Sequence, residues 1–299
     1  MDLRVRVPAS SANLGPGFDS FAIALPLLAE YEVRPARTWS VTVEGDGDGI
    51  PTDDGNLFIV AARATAKVAG QSVGACHVTQ RSAIPIARGL GSSAAAIVGG
   101  AVAANALMGE RLDRRSLLRV ASEVEGHADN VAAALYGAFT VAMPSEDGPV
   151  ATRIPFPRAW RICLLIPREP LATEQARAVL PPTVPRADAV FNLAHASALL
   201  AAVMKSDGAL LSVAMADRLH QRARAPLVRG LDETQAAARE AGAFGAALSG
   251  AGPTVVAVAP ARLAARVVAA MEDAARAAGT MARGRVVRVR AAGAQVRRQ

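Results

Sequence analysis

Apolar and polar positions alternate along LRVRVPAS, the period-two signature of a half-buried strand, ending at Pro8. SANLGPGFDSFAIALPL reads as a Gly-rich loop running into an apolar strand, and EYEVRPA and WSVTVEGDGDG as the two arms of a hairpin closed by a turn-rich cluster. The period then changes. LFIVAARATAKVAG has helical spacing, with Asp53, Asp54 and Asn56 as candidate caps and Gly70 as a stop. ACHVTQRSAIP returns to strand character, DRRSLLRVASEVEG is a helix with Asp113 as N-cap, and NVAAALYGAFTVAMP begins as helix and ends as strand. Turn and proline signals crowd PSEDGPVATRIPFPRAW and set a domain boundary near residue 156, dividing the chain into 1–156 and 157–299. Beyond it come a buried strand (RICLLIP), a helix (ATEQARAVL), a Pro-rich loop and long helices from about Asp188 to Leu219. A further helix, a strand (TVVAVAP), another helix and a terminal strand (GRVVRVRA) complete the chain.

Between the fourth strand and the helix at Asp113 lies PIARGLGSSAAAIVGGAVAANALMG, with no charge from Gly89 to Gly109. It is long enough to span a bilayer, but Ala, Gly and Ser gain little on transfer to lipid, Asn105 sits inside it, and no aromatic belt flanks it. The start, MDLRVRVPAS, lacks the apolar core of a signal peptide, so the expectation is a soluble, cytoplasmic chain. Hydrophobic residues at 52% and charged residues at 20% of 299 are globular proportions. The net charge of +7 comes from Arg scattered along the chain, and with aromatics at 4% there are few platforms for base stacking; nucleic-acid binding is not expected. Cys76 and Cys163 lie far apart in apolar contexts, and neither they nor the four histidines show metal-ligand spacing.

What can GLGSSAAA do? Glycines let backbone N–H groups approach an anion, and a helix N-terminus adds a positive dipole end; together they make a phosphate cradle. The stretch is neither a Walker loop nor GxGxxG, and taken alone it could equally be a turn. It resembles, however, the phosphate loop P-x-x-x-G-L-G-S-S-A-A of the GHMP kinase superfamily, matched from Pro85 to Ala95. Three more stretches fall in the family's order: VPASSANLGPGFD and EVEGHADNVAAALYGA resemble its homoserine kinases, and GAALSGAGPTVVAV is similar to the family's carboxy-terminal Gly-rich loop. Ala128 and Ala133 stand where that family usually has prolines.

The resemblance implies an α+β, two-domain fold. Its N-terminal domain would carry a left-handed βαβ crossover and bind ATP, and its C-terminal domain would be ferredoxin-like. It implies a nucleotide site at Pro85, Ile86, Ala87, Arg88, Gly89, Leu90, Gly91, Ser92, Ser93, Ala94 and Ala95, with Asn56 and Leu57 toward the adenine. Magnesium would be held by Glu125 and Ser92, Glu123 being the fallback; Asn130 would lie near the attacking hydroxyl, leaving no obvious general base, and His127 would hold the loop. For L-homoserine, Asn13 and Asp19 match positions on the ammonium side. Thr173, Arg177 and Arg224 match positions on the carboxylate side, where a guanidinium can engage both oxygens. The activity implied is ATP-dependent phosphorylation of the L-homoserine hydroxyl, in threonine biosynthesis, in a family whose members are commonly homodimers. A kinase for another small alcohol such as mevalonate, and a non-catalytic ATP sensor on the same fold, are the alternatives.

Overall fold

The opening strand continues past Pro8. In the computed structural model, which describes residues 2–45 and 49–299, β1 runs from Leu3 to Asn13 and turns directly into β2, Gly17–Pro35. Pro8 brings no N–H to the ladder, and the β1–β2 register shifts between Pro8 and Ala9, so a bulge absorbs the proline. The expected hairpin between EYEVRPA and WSVTVEG is not formed. β3 (Ser40–Glu44) instead pairs in parallel with β4 (Cys76–Ser82), which lies between it and β2. A parallel neighbour requires a crossover, and α1 (Leu57–Val68) supplies it. Asn56 caps α1 by accepting from the Phe58 N–H at 2.9 Å; Asp53 shapes the preceding turn, and Asp54 pairs with Arg63. The turn cluster expected after β3 includes residues 46–48, which lie outside the described residues.

The Gly-Ser-Ala stretch becomes α2 (Ser92–Leu107), almost wholly buried. At about 1.5 Å per residue it is roughly 24 Å long, short of a hydrocarbon core. Its small residues serve packing: a Cβ on Gly100 would overlap the Phe58 carbonyl, and one on Gly99 would press on the Tyr31 ring. α3 (Arg114–Glu125) begins at the expected Asp113 cap, and α4 (Asp129–Tyr136) leads into β5 (Phe139–Met143). β5 pairs with β2 and with β6 (Val150–Ile154).

The second half starts with β7 (Trp160–Pro167), followed by α5 (Thr173–Ala178), α6 (Arg186–Lys205), α7 (Gly208–Ala214), the single turn α8 (Gln221–Arg224) and α9 (Leu231–Glu240). Then come β8 (Gly245–Leu248), β9 (Val255–Pro260), α10 (Ala264–Ala277) and β10 (Ala282–Val287). The antiparallel order β10-β7-β9-β8 is the ferredoxin-like arrangement. Alternation along β7 divides its side chains: Cys163 and Leu165 join a core with α9 and α10, while Ile162, Leu164 and Ile166 join the large core of the first sheet. The last strand, β11 (Gln295–Arg298), returns to pair with β1. The unit expected over 157–299 thus gives its final strand to the first sheet, whose order is β11-β1-β2-β4-β3. By length and composition α6 could cross a membrane; in the fold it sends Leu199, Ala202 and Val203 into the main core.

Candidate active site

The loop between β4 and α2 is held from both sheets. Gly89 and Gly91 both sit at φ +68°, a left-handed conformation costly for any other residue. Space is equally short: a Cβ on Gly89 would overlap the Ser249 carbonyl, and one on Gly91 would overlap Ser10 Oγ. Ser249 Oγ, from the loop after β8, donates to the Gly89 carbonyl at 2.6 Å, and the Leu171 N–H donates to Ala87. Arg88 straps the loop to the end of β7, donating to the carbonyls of Ile86, Pro167 and Arg168.

Beside the start of α2, the end of α3 delivers Glu125. Ser93 Oγ donates to Glu125 Oε1 at 2.6 Å, so the hydroxyl on this carboxylate belongs to Ser93 rather than to Ser92. Burial raises the Glu125 pKa above the usual carboxylate value, although the Ser93 bond and the His127 charge oppose it. Ionised, this carboxylate lacks an Arg or Lys partner among the described residues, and its nearest cationic group is His127 Nε2 at 3.8 Å. A buried carboxylate beside a hydroxyl is a hard oxygen pair that fits magnesium. Glu123 is exposed and does not line the cavity that Glu125 lines. His127 Nδ1 bonds Asp129 Oδ1 at 2.7 Å; burial works against its protonation, but Asp129 lifts its pKa above the ordinary value. Asp129 also takes the Asn130 N–H, and Asn130 Oδ1 accepts from Ser10 Oγ at 2.7 Å.

The β1–β2 turn supplies a third group. Asn13 Nδ2 donates to the Gly250 carbonyl at 2.9 Å and Asn13 Oδ1 accepts the Asp19 N–H, so Asn13 fixes Asp19, which sits at φ +54°. Asp19 takes two hydrogen bonds from Arg177 of α5, whose pKa rises through them. Arg224 is 1% exposed; Nε donates to Ala176 O, and Nη1 to Gly250 O and His220 Nδ1. Nη2 makes no hydrogen bond among the described residues, leaving one edge of the guanidinium for a ligand. Burial pulls the His220 pKa down, and its Nε2 faces the Gly15 carbonyl at 2.9 Å. A guanidinium can only donate, so Nδ1 accepts from Arg224 and the ring carries its proton on Nε2, toward Gly15. Phe18 lies beneath both, stacked on His220.

These groups line one cavity of about 330 Å³. It gathers Asn13, Asp19, Asn56, Leu57, Ile86 to Ser93, Glu125, Asn130, Thr173, Arg177 and Arg224. Pro85 lies outside its lining, and Ala94 and Ala95 are buried in the core. Helical periodicity is the reason: Ser92, Ser93 and Ala96 share the cavity face of α2, whereas the two alanines turn inward. Gln80, Asp129, Gly250 and Ala251 also line it. The GAALSGAGPT motif signalled the two loop residues; nothing in the sequence signalled Gln80.

Residues 56–138 match the GHMP kinases N terminal domain, and residues 173–277 match the GHMP kinases C terminal domain. The chain belongs to the GHMP kinase family. Among GHMP kinases it is 40% identical to the homoserine kinase of Desulfitobacterium hafniense over 98% of this chain and 99% of that one. A crystal structure of homoserine kinase from Cytophaga hutchinsonii superposes with a TM-score of 0.89 at 29% identity, covering 99% and 97% of the two chains. L. major mevalonate kinase in complex with R-mevalonate shares the fold, with a TM-score of 0.69 at 16% identity over 95% of each chain.

Proposed function

We propose that this GHMP kinase transfers the γ-phosphoryl group of ATP to the side-chain hydroxyl of L-homoserine, giving ADP and O-phospho-L-homoserine, as a soluble enzyme of the cytoplasm in threonine biosynthesis. The observation that carries the acceptor is the grouping of Asp19, Arg177 and Arg224 at one cavity, in a chain whose near-full-length relatives are homoserine kinases. A zwitterion needs an anion for its ammonium and cations for its carboxylate. Mevalonate has no ammonium to place on Asp19.

The triphosphate belongs on the N–H groups at Gly91 to Ser93, where the α2 dipole favours negative charge. Glu125, with the Ser93 hydroxyl, would hold magnesium, which when bound supplies charge neutralisation on the phosphate oxygens. Asn130 lies beside this entry, its carbonyl oxygen held by Ser10, so its Nδ2 can orient the acceptor hydroxyl. An amide is no base at neutral pH. The site works by alignment and charge, which suffices for a loose phosphoryl-transfer transition state. His127, bonded to Asp129, fixes the loop between Glu125 and Asn130.

A coupled ADP-release assay with homoserine, mevalonate, galactose and shikimate tests this reading. Turnover with homoserine alone is expected. Turnover with another acceptor reassigns the substrate, and nucleotide binding without any turnover makes the chain a sensor.

A further inference from the structure

Gln80 is an anomaly of the core. It lies on β4, paired with Tyr31 on one side and Val43 on the other, on the same face as buried Cys76 and Val78. That face calls for an apolar residue. Gln80 is 4% exposed, and its Oε1 is buried without a hydrogen-bond partner among the described residues. An orphaned buried acceptor is destabilising, so it marks either a defect or a place where something else completes the bond.

Its neighbours in the cavity favour the second. Ile50, Pro51, Leu57 and Ala96 line the same cavity, a small apolar surround that suits a flat ring. Asn56, the residue expected to face adenine, is already committed: Oδ1 accepts from Phe58 N, and Nδ2 donates to Pro51 O at 2.7 Å. Gln80 offers the uncommitted carboxamide.

Resting on the reading of this cavity as an ATP site, we infer that Gln80 is the residue that selects the base, accepting a hydrogen bond from the exocyclic 6-amino group of adenine while Nε2 donates to the adjacent ring nitrogen. A carboxamide against an amino group beside a ring nitrogen is the two-bond pairing by which Gln and Asn read adenine. The ligand class is a 6-aminopurine nucleotide. The outward rotamer or amide flip needed moves the side chain only.

Calorimetric titration of the full chain with ADP and with purine riboside 5′-diphosphate, which lacks the 6-amino group, tests this. The parent is expected to prefer ADP by roughly ten-fold or more, the effect of one bond to an otherwise orphaned acceptor. Gln80→Met, close in volume, should bring the preference to about three-fold or less. A parent preference near unity overturns the assignment, as does a preference that survives in folded Gln80→Met. The first comparison needs no variant, so it decides even if Gln80→Met fails to fold. Nor does the titration use an acceptor: failure of the homoserine reading shows only in the turnover panel.

Discussion

Asp19 and Arg177 hold each other through two hydrogen bonds, of 2.8 and 3.1 Å, although 158 positions separate them in the chain. Each is about one-third exposed, so the pair adds little to stability, of the order of 0–1 kcal/mol. Without an acceptor amino acid, the group suited to its ammonium and a group suited to its carboxylate satisfy one another. A zwitterion can exchange into that pair without stranding either charge. Arg177→Ala should therefore raise the KM for homoserine by about ten-fold or more while shifting unfolding free energy by no more than about 1 kcal/mol. Steady-state kinetics and urea unfolding measure the two effects; a large stability loss with unchanged KM would show that Arg177 is only structural.

Arg224 differs because it is buried and bonded to two carbonyls and a neutral imidazole. Arg224→Ala should weaken homoserine by about 2 to 5 kcal/mol and also lower the melting temperature, since Ala176 and Gly250 lose a donor. Arg224→Lys should recover only part of the binding, because an ammonium cannot fork onto two oxygens. An amino alcohol lacking the carboxylate should be a poor substrate of the parent and lose little further in Arg224→Ala. Equal losses for homoserine and this analogue would remove the carboxylate clamp.

The buried Glu125 carboxyl has its pKa raised in the folded chain, so burial favours the protonated form. That contribution is present below the unfolded carboxylate value and is lost as pH rises through the folded one. Metal-free Glu125→Gln should match the parent in acid and exceed it in melting temperature at neutral pH. Its turnover should fall by roughly a hundred-fold, about 2.7 kcal/mol of lost charge stabilisation, while Glu123→Gln behaves like the parent. Parallel melting curves for parent and Glu125→Gln across pH would mean that Glu125 ionises freely in the fold.

Gly91→Ala puts a Cβ into Ser10 Oγ at a left-handed φ. Strain of about 1–2 kcal/mol from the backbone alone should lower the melting temperature. Because Ser10 holds Asn130, turnover should fall further than ADP affinity measured by titration. Unaltered kcat with weakened ADP would place the strain on the phosphates instead.

Local patterns settled much of this protein. The motif around Glu125 and Asn130, legible through its resemblance to GHMP kinases, named groups that meet at one cavity, while helical spacing and the Asp113 cap located α3 and the uncharged Gly-Ser-Ala run led into a buried helix. These are short-range properties, readable because capping, period and backbone freedom depend on residues within a turn of each other. The sequence could not tell that β4 would slide between β2 and β3, or that β11 would return to β1, because pairing of distant strands is decided by which apolar faces can be buried together. The same holds at the site. Which serine reaches Glu125 depends on the rotation of α2 against α3, and the Asp19–Arg177 pair exists only because two sheets bring a turn and a short helix together. Gln80 reads in the sequence as one more polar position on a strand. Only the packed sheet turns it toward the core with an oxygen that no group among the described residues answers.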